Sequence, residues 1–223
     1  MVPAVYLLSI TGTLAPSTLE AARAIHNQTA GAPTSVAAAR SLGDLSHMVY
    51  VPLDQPKSGS GEFLILDFWN NMDGLNQFFA NPHVQEQAGQ IFRSRDPVVW
   101  APSEGLNSYH YPAPFGMSDR IVAIVRGPVK SREDAQARHN AIVAKNVNKA
   151  RMGGNMSHEA YFKLAPPGSG EKPELFALDV WMNASGMSKF YQDPESQRGL
   201  QELFNGTPST STWTHPVGDW VEW

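Results

Sequence analysis

Three short patterns of ionisable and aromatic side chains occur twice in this chain. His26-Asn27 returns as His139-Asn140, Ser46-His47-x-x-Tyr50 as Ser157-His158-x-x-Tyr161, and Asp67-x-Trp69 as Asp179-x-Trp181. Imidazole titrates near neutral pH, so His26/His139 or His47/His158 can serve as general base toward an acidic phenol or enol. Asp67 and Asp179, each two residues before a Trp on one strand face, would orient such a ring. Trp69, Phe78, Trp181 and Phe190 would wall an apolar pocket, and Tyr50 and Tyr161 would add substrate contacts. Each pattern also has a plainer role. A helix His is most often a core-edge residue bonded to a carbonyl, a strand Asp often anchors a loop, and Trp is usually core. His47 and Tyr50 differ in parity, so they point to opposite faces of a strand. His47 would then either hold a loop or meet His26 between sheet and helix. The unrepeated His83, Tyr109, His110, Tyr111 and His215 would instead mark one asymmetric site.

Other chemistries find little support. No H-x-x-x-H or E-x-x-H ligand pairing appears, so no metal site is expected. Cysteine is absent, which excludes disulfides and thiolate catalysis. No G-x-G-x-x-G opens a helix after a strand, and G-x-S-x-G is missing; Gly59-Ser60-Gly61 and Gly168-Ser169-Gly170 sit in turn-rich loops. With net charge −4 and no Lys/Arg block, neither nucleic acid nor an anionic membrane is an expected partner. The N-terminal MVPAVYLLSI lacks a basic region and reads as a strand rather than a leader, and no apolar run reaches membrane-spanning length, so a cytoplasmic location is expected.

The elements that must carry these residues are themselves duplicated. Glu62–Gln90 and Glu174–Glu202 align without a gap at a shift of 112, matching Leu66, Asp67, Trp69, Asn71, Gly74, Phe78, Pro82 and Gln85 with Leu178, Asp179, Trp181, Asn183, Gly186, Phe190, Pro194 and Gln197. With 223 residues, 42% of them hydrophobic, the chain divides into two halves that can each bury a core. In the first half the pattern predicts a strand at 5–10 and a helix capped near Ser17-Thr18. The segment 34–42 is ambiguous. Strands follow at 45–53 and 62–69, then a helix capped by Asn71 and interrupted at Pro82, then a strand at 96–100. That is the β-α-β-β-α-β order of a ferredoxin-like unit. The second half repeats it, with strands at 121–125 and 156–164, a helix over 131–149, and a tail at 213–223 expected to close on the core as a last strand. The fold class is therefore α+β, with repeats at 1–105 and 119–223 joined by a linker at 106–118.

The run W-x-N-x₃-[LM]-x₂-F-x₃-P resembles the antibiotic-biosynthesis-monooxygenase family. Trp69, Asn71, Leu75, Pro82 and His83 carry the match in the first half, and Trp181, Asn183, Met187 and Pro194 in the second. The resemblance implies two ferredoxin-like repeats that pair within one chain as a pseudo-dimeric α+β barrel, with a further homodimer left open. It also implies cofactor-independent monooxygenation of a small aromatic or polyketide-like substrate. Two alternatives accompany it: a haem-binding or haem-processing barrel with a buried His as axial ligand, and a non-catalytic ligand-binding or stress-related barrel. The known catalytic sets of the family do not transfer. Its common second-helix His falls at Phe78 and Phe190, and the haem-ligating His of its haem degraders at Phe79 and Tyr191. The Asn, Tyr and Arg of its polyketide oxygenases would be sought at Ile65, Leu75 and Gly89.

Overall fold

The structure is a computed structural model that describes residues 5–54, 61–102, 104–111, 120–166 and 168–223. Most of the hairpin loop expected over 54–61 and the end of the linker expected over 106–118 lie outside the described residues. The chain divides into two compact units, Met1–Ala101 with His215–Trp223, and Pro102–Thr214. The described part of the linker belongs to the second unit, and the C-terminal tail belongs to the first.

The first unit contains β1 (Tyr6–Leu14), α1 (Leu19–Gln28), α2 (Pro33–Ser41), β2 (Asp44–Pro52), β3 (Glu62–Trp69), α3 (Met72–Ala80), α4 (Pro82–Ile91) and β4 (Phe92–Pro102, whose last residue falls in the second unit). Its strands lie in the order β4-β1-β3-β2, all antiparallel where paired. Thr18 caps α1 through Ala21 N–H, and Leu19, Ala22 and His26, three and four residues apart, form its buried face. The ambiguous segment is helical, because Pro33 supplies a preset first helical turn. Asn71 accepts from Asp73 and Gly74 N–H at the start of α3, and Asn81 caps α4 ahead of Pro82. The core gathers Leu8, Ile10, Leu14, Val49, Phe63, Ile65, Trp69 and, from the tail, Trp220.

The second unit contains β5 (Tyr109–His110), β6 (Ile121–Pro128), α5 (Arg132–Met152), β7 (Asn155–Lys163), β8 (Glu174–Trp181), α6 (Ala184–Gln192), α7 (Pro194–Leu203) and β9 (Ser209–Thr214). Its strand order is β9-β6-β8-β7-β5. A single helix of 21 residues, α5, stands where the first unit breaks its chain between α1 and α2. The closing strand is Ser209–Thr214, not the expected 213–223. Both units thus realise the ferredoxin-like plan, α+β as read from the repeat.

The register places the repeated residues. β2 and β3 run antiparallel with His47 directly opposite Asp67, and β7 and β8 set His158 opposite Asp179. Directly opposed side chains in an antiparallel pair lie within hydrogen-bonding reach. A bulge just before each His, between Asp44 and Ser46 and between Asn155 and Ser157, sets that register.

Candidate active site: a buried relay in each repeat and an open cleft in one

In the first unit His47 Nδ1 lies 2.7 Å from Asp67 Oδ1, and His47 Nε2 lies 2.9 Å from Nε2 of His26. His26 Nδ1 in turn lies 3.1 Å from Asn27 Oδ1. The second unit repeats the line: His158 Nδ1 to Asp179 Oδ1 at 2.9 Å, His158 Nε2 to His139 Nε2 at 2.8 Å, and His139 Nδ1 to Asn140 Oδ1 at 3.1 Å. All six ionisable side chains are buried, His26 completely. The residues that the sequence singled out as base and orienting carboxylate therefore meet as two equivalent carboxylate–imidazole–imidazole lines.

Each line is covered by a strap. In the first unit the tail runs antiparallel past β2: Trp223 exchanges backbone hydrogen bonds with His47, and its ring stacks on the imidazole at 4.6 Å. Asn27 clamps the tail by donating Nδ2–H to the Asp219 carbonyl and accepting from Val221 N–H at Oδ1. In the second unit Tyr109 pairs with His158 on the strand edge, its ring 5.7 Å away. Asn140 donates to the Gly105 carbonyl and accepts from Asn107 N–H. Residues 105, 107 and 109 thus do for one line what 219, 221 and 223 do for the other. Sequence reading left Asn27 and Asn140 without a role and set Tyr109 among the unrepeated residues of one asymmetric site. The recurrence of His-Asn was the signal available.

The electrostatics follow from burial and from the carboxylates. Burial, and then the charge of His47, lowers the His26 pKa to about 4; burial and His158 do the same to His139, also to about 4. Burial alone would lower His47 and His158 too, but the adjacent carboxylate charge and hydrogen bond outweigh it, and both are raised. Asp44, buried next to Asp67, is raised to about 7 by desolvation and by that like charge. Its Oδ2 accepts from Trp223 Nε1–H at 3.0 Å. The second unit has Asn155 at this place, donating to Asp179 Oδ1 at 3.3 Å.

The two surroundings then diverge. A cavity of about 70 Å³ adjoins each line, bordered by Asp44, His47, Asp67, Trp69 and Phe78 in the first unit and by His139, His158, Asp179 and Phe190 in the second. Such a space holds a couple of water-sized molecules, not an aromatic substrate. Trp69 and Phe78 therefore wall the first cavity and Phe190 the second, while Trp181 packs against Phe190 with ring centroids 5.3 Å apart. Tyr50 and Tyr161 face away from the His of their own strand, as parity requires. Their hydroxyls donate to Met48 and Glu159, their neighbours on that opposite face.

A space of substrate size lies elsewhere in the second unit. A cleft of about 850 Å³ runs between α6–α7 and the paired strands β6 and β9, with Ala123, Met187, Tyr191, Gln197, Leu200 and Thr210 among its walls. Tyr191 borders both this cleft and the small cavity, and it donates its hydroxyl hydrogen to Asp179 Oδ2 at 2.6 Å. Burial and the charge of Asp179 raise its pKa well above the ordinary phenol value, so it rests as the neutral phenol. The counterpart of Tyr191 is Phe79, and register puts Leu8 where Ala123 stands. Sequence reading passed over Tyr191; the signal was a polar atom gained at one position of an otherwise matched aromatic pair.

No protein-family model and no curated protein matches this sequence. Solved structures do. An anthrone oxidase-like protein superposes with a TM-score of 0.64 at 14% identity, over 97% of this chain and 94% of that one. A monooxygenase candidate from Fusobacterium nucleatum subsp. nucleatum matches with a TM-score of 0.59 at 9% identity, over 98% and 97%. The chain has the fold of the monooxygenase-like proteins. A chlorite dismutase variant from Candidatus Nitrospira defluvii shares this monooxygenase-like fold with a TM-score of 0.55 at 10% identity, over 95% and 91%. Haem does not fit the four relay histidines: both ring nitrogens of each are engaged, and the adjoining cavities are far smaller than a macrocycle. Among the described residues no group of three or more His, Asp or Glu is placed to hold a metal ion, and no helix is long and apolar enough to cross a membrane.

Proposed function

We propose that the chain is a cofactor-independent monooxygenase-like enzyme that removes a proton from a small aromatic or polyketide-like substrate held in the cleft of the second repeat. The observation that carries this reading is the Tyr191–Asp179 hydrogen bond, which joins the cleft to the buried histidines. The Tyr191 oxygen takes the acidic C–H or O–H proton of the substrate as its own proton passes to Asp179 Oδ2. The paired imidazoles, positively charged beside Asp179, then face the substrate anion that replaces the carboxylate charge, so the site keeps its charge balance in a medium of low dielectric. The electron-rich carbanion reduces dioxygen and forms the new C–O bond as a peroxide. Return of the proton and loss of water leave a carbonyl at the former CH₂ carbon. The fold shared with an anthrone oxidase-like protein agrees with this chemistry.

The test is oxygen uptake with anthrone-like and quinol substrates, by the wild type and by Tyr191→Phe. Tyr191→Phe is expected to lower kcat/KM roughly 100-fold, the usual worth of one positioned proton carrier, while Phe79→Tyr leaves turnover unchanged. Uptake that is undiminished in Tyr191→Phe removes Tyr191 from the mechanism. Saturable binding of these compounds without any oxygen uptake makes the protein a ligand-binding barrel instead.

A further inference from the structure

In each repeat the hydrogen bonds favour one arrangement of protons, and it begins at the asparagine. The Asn140 amide cannot be turned around. Its Nδ2 faces the Gly105 carbonyl at 2.6 Å and its Oδ1 faces the Asn107 N–H at 2.8 Å, so a flip would set donor on donor and acceptor on acceptor. The same oxygen faces His139 Nδ1 at 3.1 Å, which makes Nδ1 the protonated nitrogen of that ring. With Nδ1 carrying the hydrogen, a neutral His139 has only a lone pair at Nε2, and the facing His158 Nε2 must be the donor. At its other nitrogen His158 meets Asp179 Oδ1. Asp179 also accepts at Oδ1 from Asn155 and at Oδ2 from Tyr191, and three converging donors favour the carboxylate, with His158 Nδ1 as the third of them. The first repeat runs the same way from Asp219 and Val221 through Asn27 and His26 to the Nε2 of His47; at the far end His47 Nδ1 meets Asp67 Oδ1 at 2.7 Å, with Asp44 and Phe79 in place of the two further donors.

We infer that each repeat stores one buried positive charge, an imidazolium at His158 and at His47, and that Asn140 and Asn27 are the positioning residues that enforce it through the tautomer of His139 and His26. The straps act through these amides: Gly105–Asn107 and Asp219–Val221 aim them, so the order of a surface segment sets the charge of a buried ring. The charged and titratable groups facing each pair are Asp179, Glu159 and Tyr109 in the second repeat, and Asp67, Asp44 and Glu222 in the first. Carboxylates dominate both sets. The inference concerns where protons sit at rest and does not depend on the oxygenase reading.

Long-range ¹H–¹⁵N spectra of the full chain labelled in histidine test it. Near neutral pH, two of the seven rings are expected as buried imidazolium, and two as the neutral tautomer protonated at Nδ1, the form that is the minor one of free histidine. Asn140→Ala is expected to return His139 to the common Nε2–H tautomer and to discharge His158, leaving the His26 and His47 signals in place as an internal reference. Asn140→Asp, which keeps an acceptor against Nδ1, is expected to preserve the Nδ1–H form. If Asn140→Ala does not fold, the wild-type spectrum decides alone. A neutral His158, or a His139 protonated at Nε2, in the wild type overturns the inference. So does an Asn140→Ala protein that keeps the wild-type ring signals.

Discussion

At the scale of single residues, the two repeats differ most in what surrounds the same carboxylate. Asp179 accepts from Asn155 and Tyr191; Asp67 has Asp44 and Phe79 at those places. Asp44 is a buried acid whose folded pKa, about 7, lies above its ordinary value of 3.8, through desolvation and then the charge of Asp67. A raised acid contributes stability that is fully present below its unfolded pKa and is lost as pH rises through the folded one. Above about pH 7 the chain must therefore either ionise Asp44 in its buried site or hold its proton against solvent. Asp44→Asn, which copies the second repeat, is expected to gain roughly 1–2 kcal/mol at about pH 8, and little near pH 4, by urea denaturation. Equal stability of the two proteins at alkaline pH would show that Asp44 is not held up by burial.

At the scale of elements, the sheet register makes the His–Asp pair, and a helix laid across it completes the line. The helices around it approach one another closely, and glycines permit it. A Cβ on Gly186 at the start of α6 would stand 1.7 Å from the Gly153 carbonyl that ends α5, and one on Gly74 equally close to the Leu42 carbonyl after α2. Gly43 and Gly154, with φ of 105° and 94°, make the turns into β2 and β7 in a region that side chains avoid. Gly186→Ala is expected to destabilise the second unit by about 1–3 kcal/mol, the cost of overpacking a filled contact. Thermal melting checks it, and an unchanged midpoint would mean that α6 slides freely on α5. The straps belong to this scale as well. Each is a short segment fixed by an aromatic ring over the histidine and an asparagine from the helix, and the tail is held further by Trp220 in the core.

At the scale of the whole molecule, the four relay histidines give the chain a characteristic response to pH. His26 and His139, lowered to about 4, bind fewer protons folded than unfolded, so they cost stability as pH falls from 6.5 toward that value. His47 and His158, raised above 6.5, contribute stability that is present below 6.5 and is lost as pH rises through their folded values. Each folded pair thus holds one proton where the unfolded pair holds two in acid and none in base. Stability is expected to peak near pH 6.5 and to fall on both sides, with an acid limb of up to roughly 3 kcal/mol per pair. A series of denaturant midpoints across pH reads this directly. A monotonic rise through neutrality would contradict it. The two lines differ in access: one opens through Tyr191 onto a cleft, while the other has Phe79 at that place.

Read alone, the sequence determined the duplication, the ferredoxin-like order of elements and the identity of the repeated His and Asp residues, because these rest on period, caps and breakers that act over a few residues. Parity on β2 was enough to separate His47 from Tyr50. Three things waited on the tertiary structure. His26 faces His47, and Asn27 faces the tail, only because contacts 21 and about 190 residues apart in sequence are closed by the fold. The tail was expected as a strand because three Trp suggest a core, but its edge pairing and Asn27 make it a strap. And the cleft exists because Ala123 and the late start of β9 leave space beside Tyr191. Volume between elements is a property of their packing, and no local pattern in the chain encodes it.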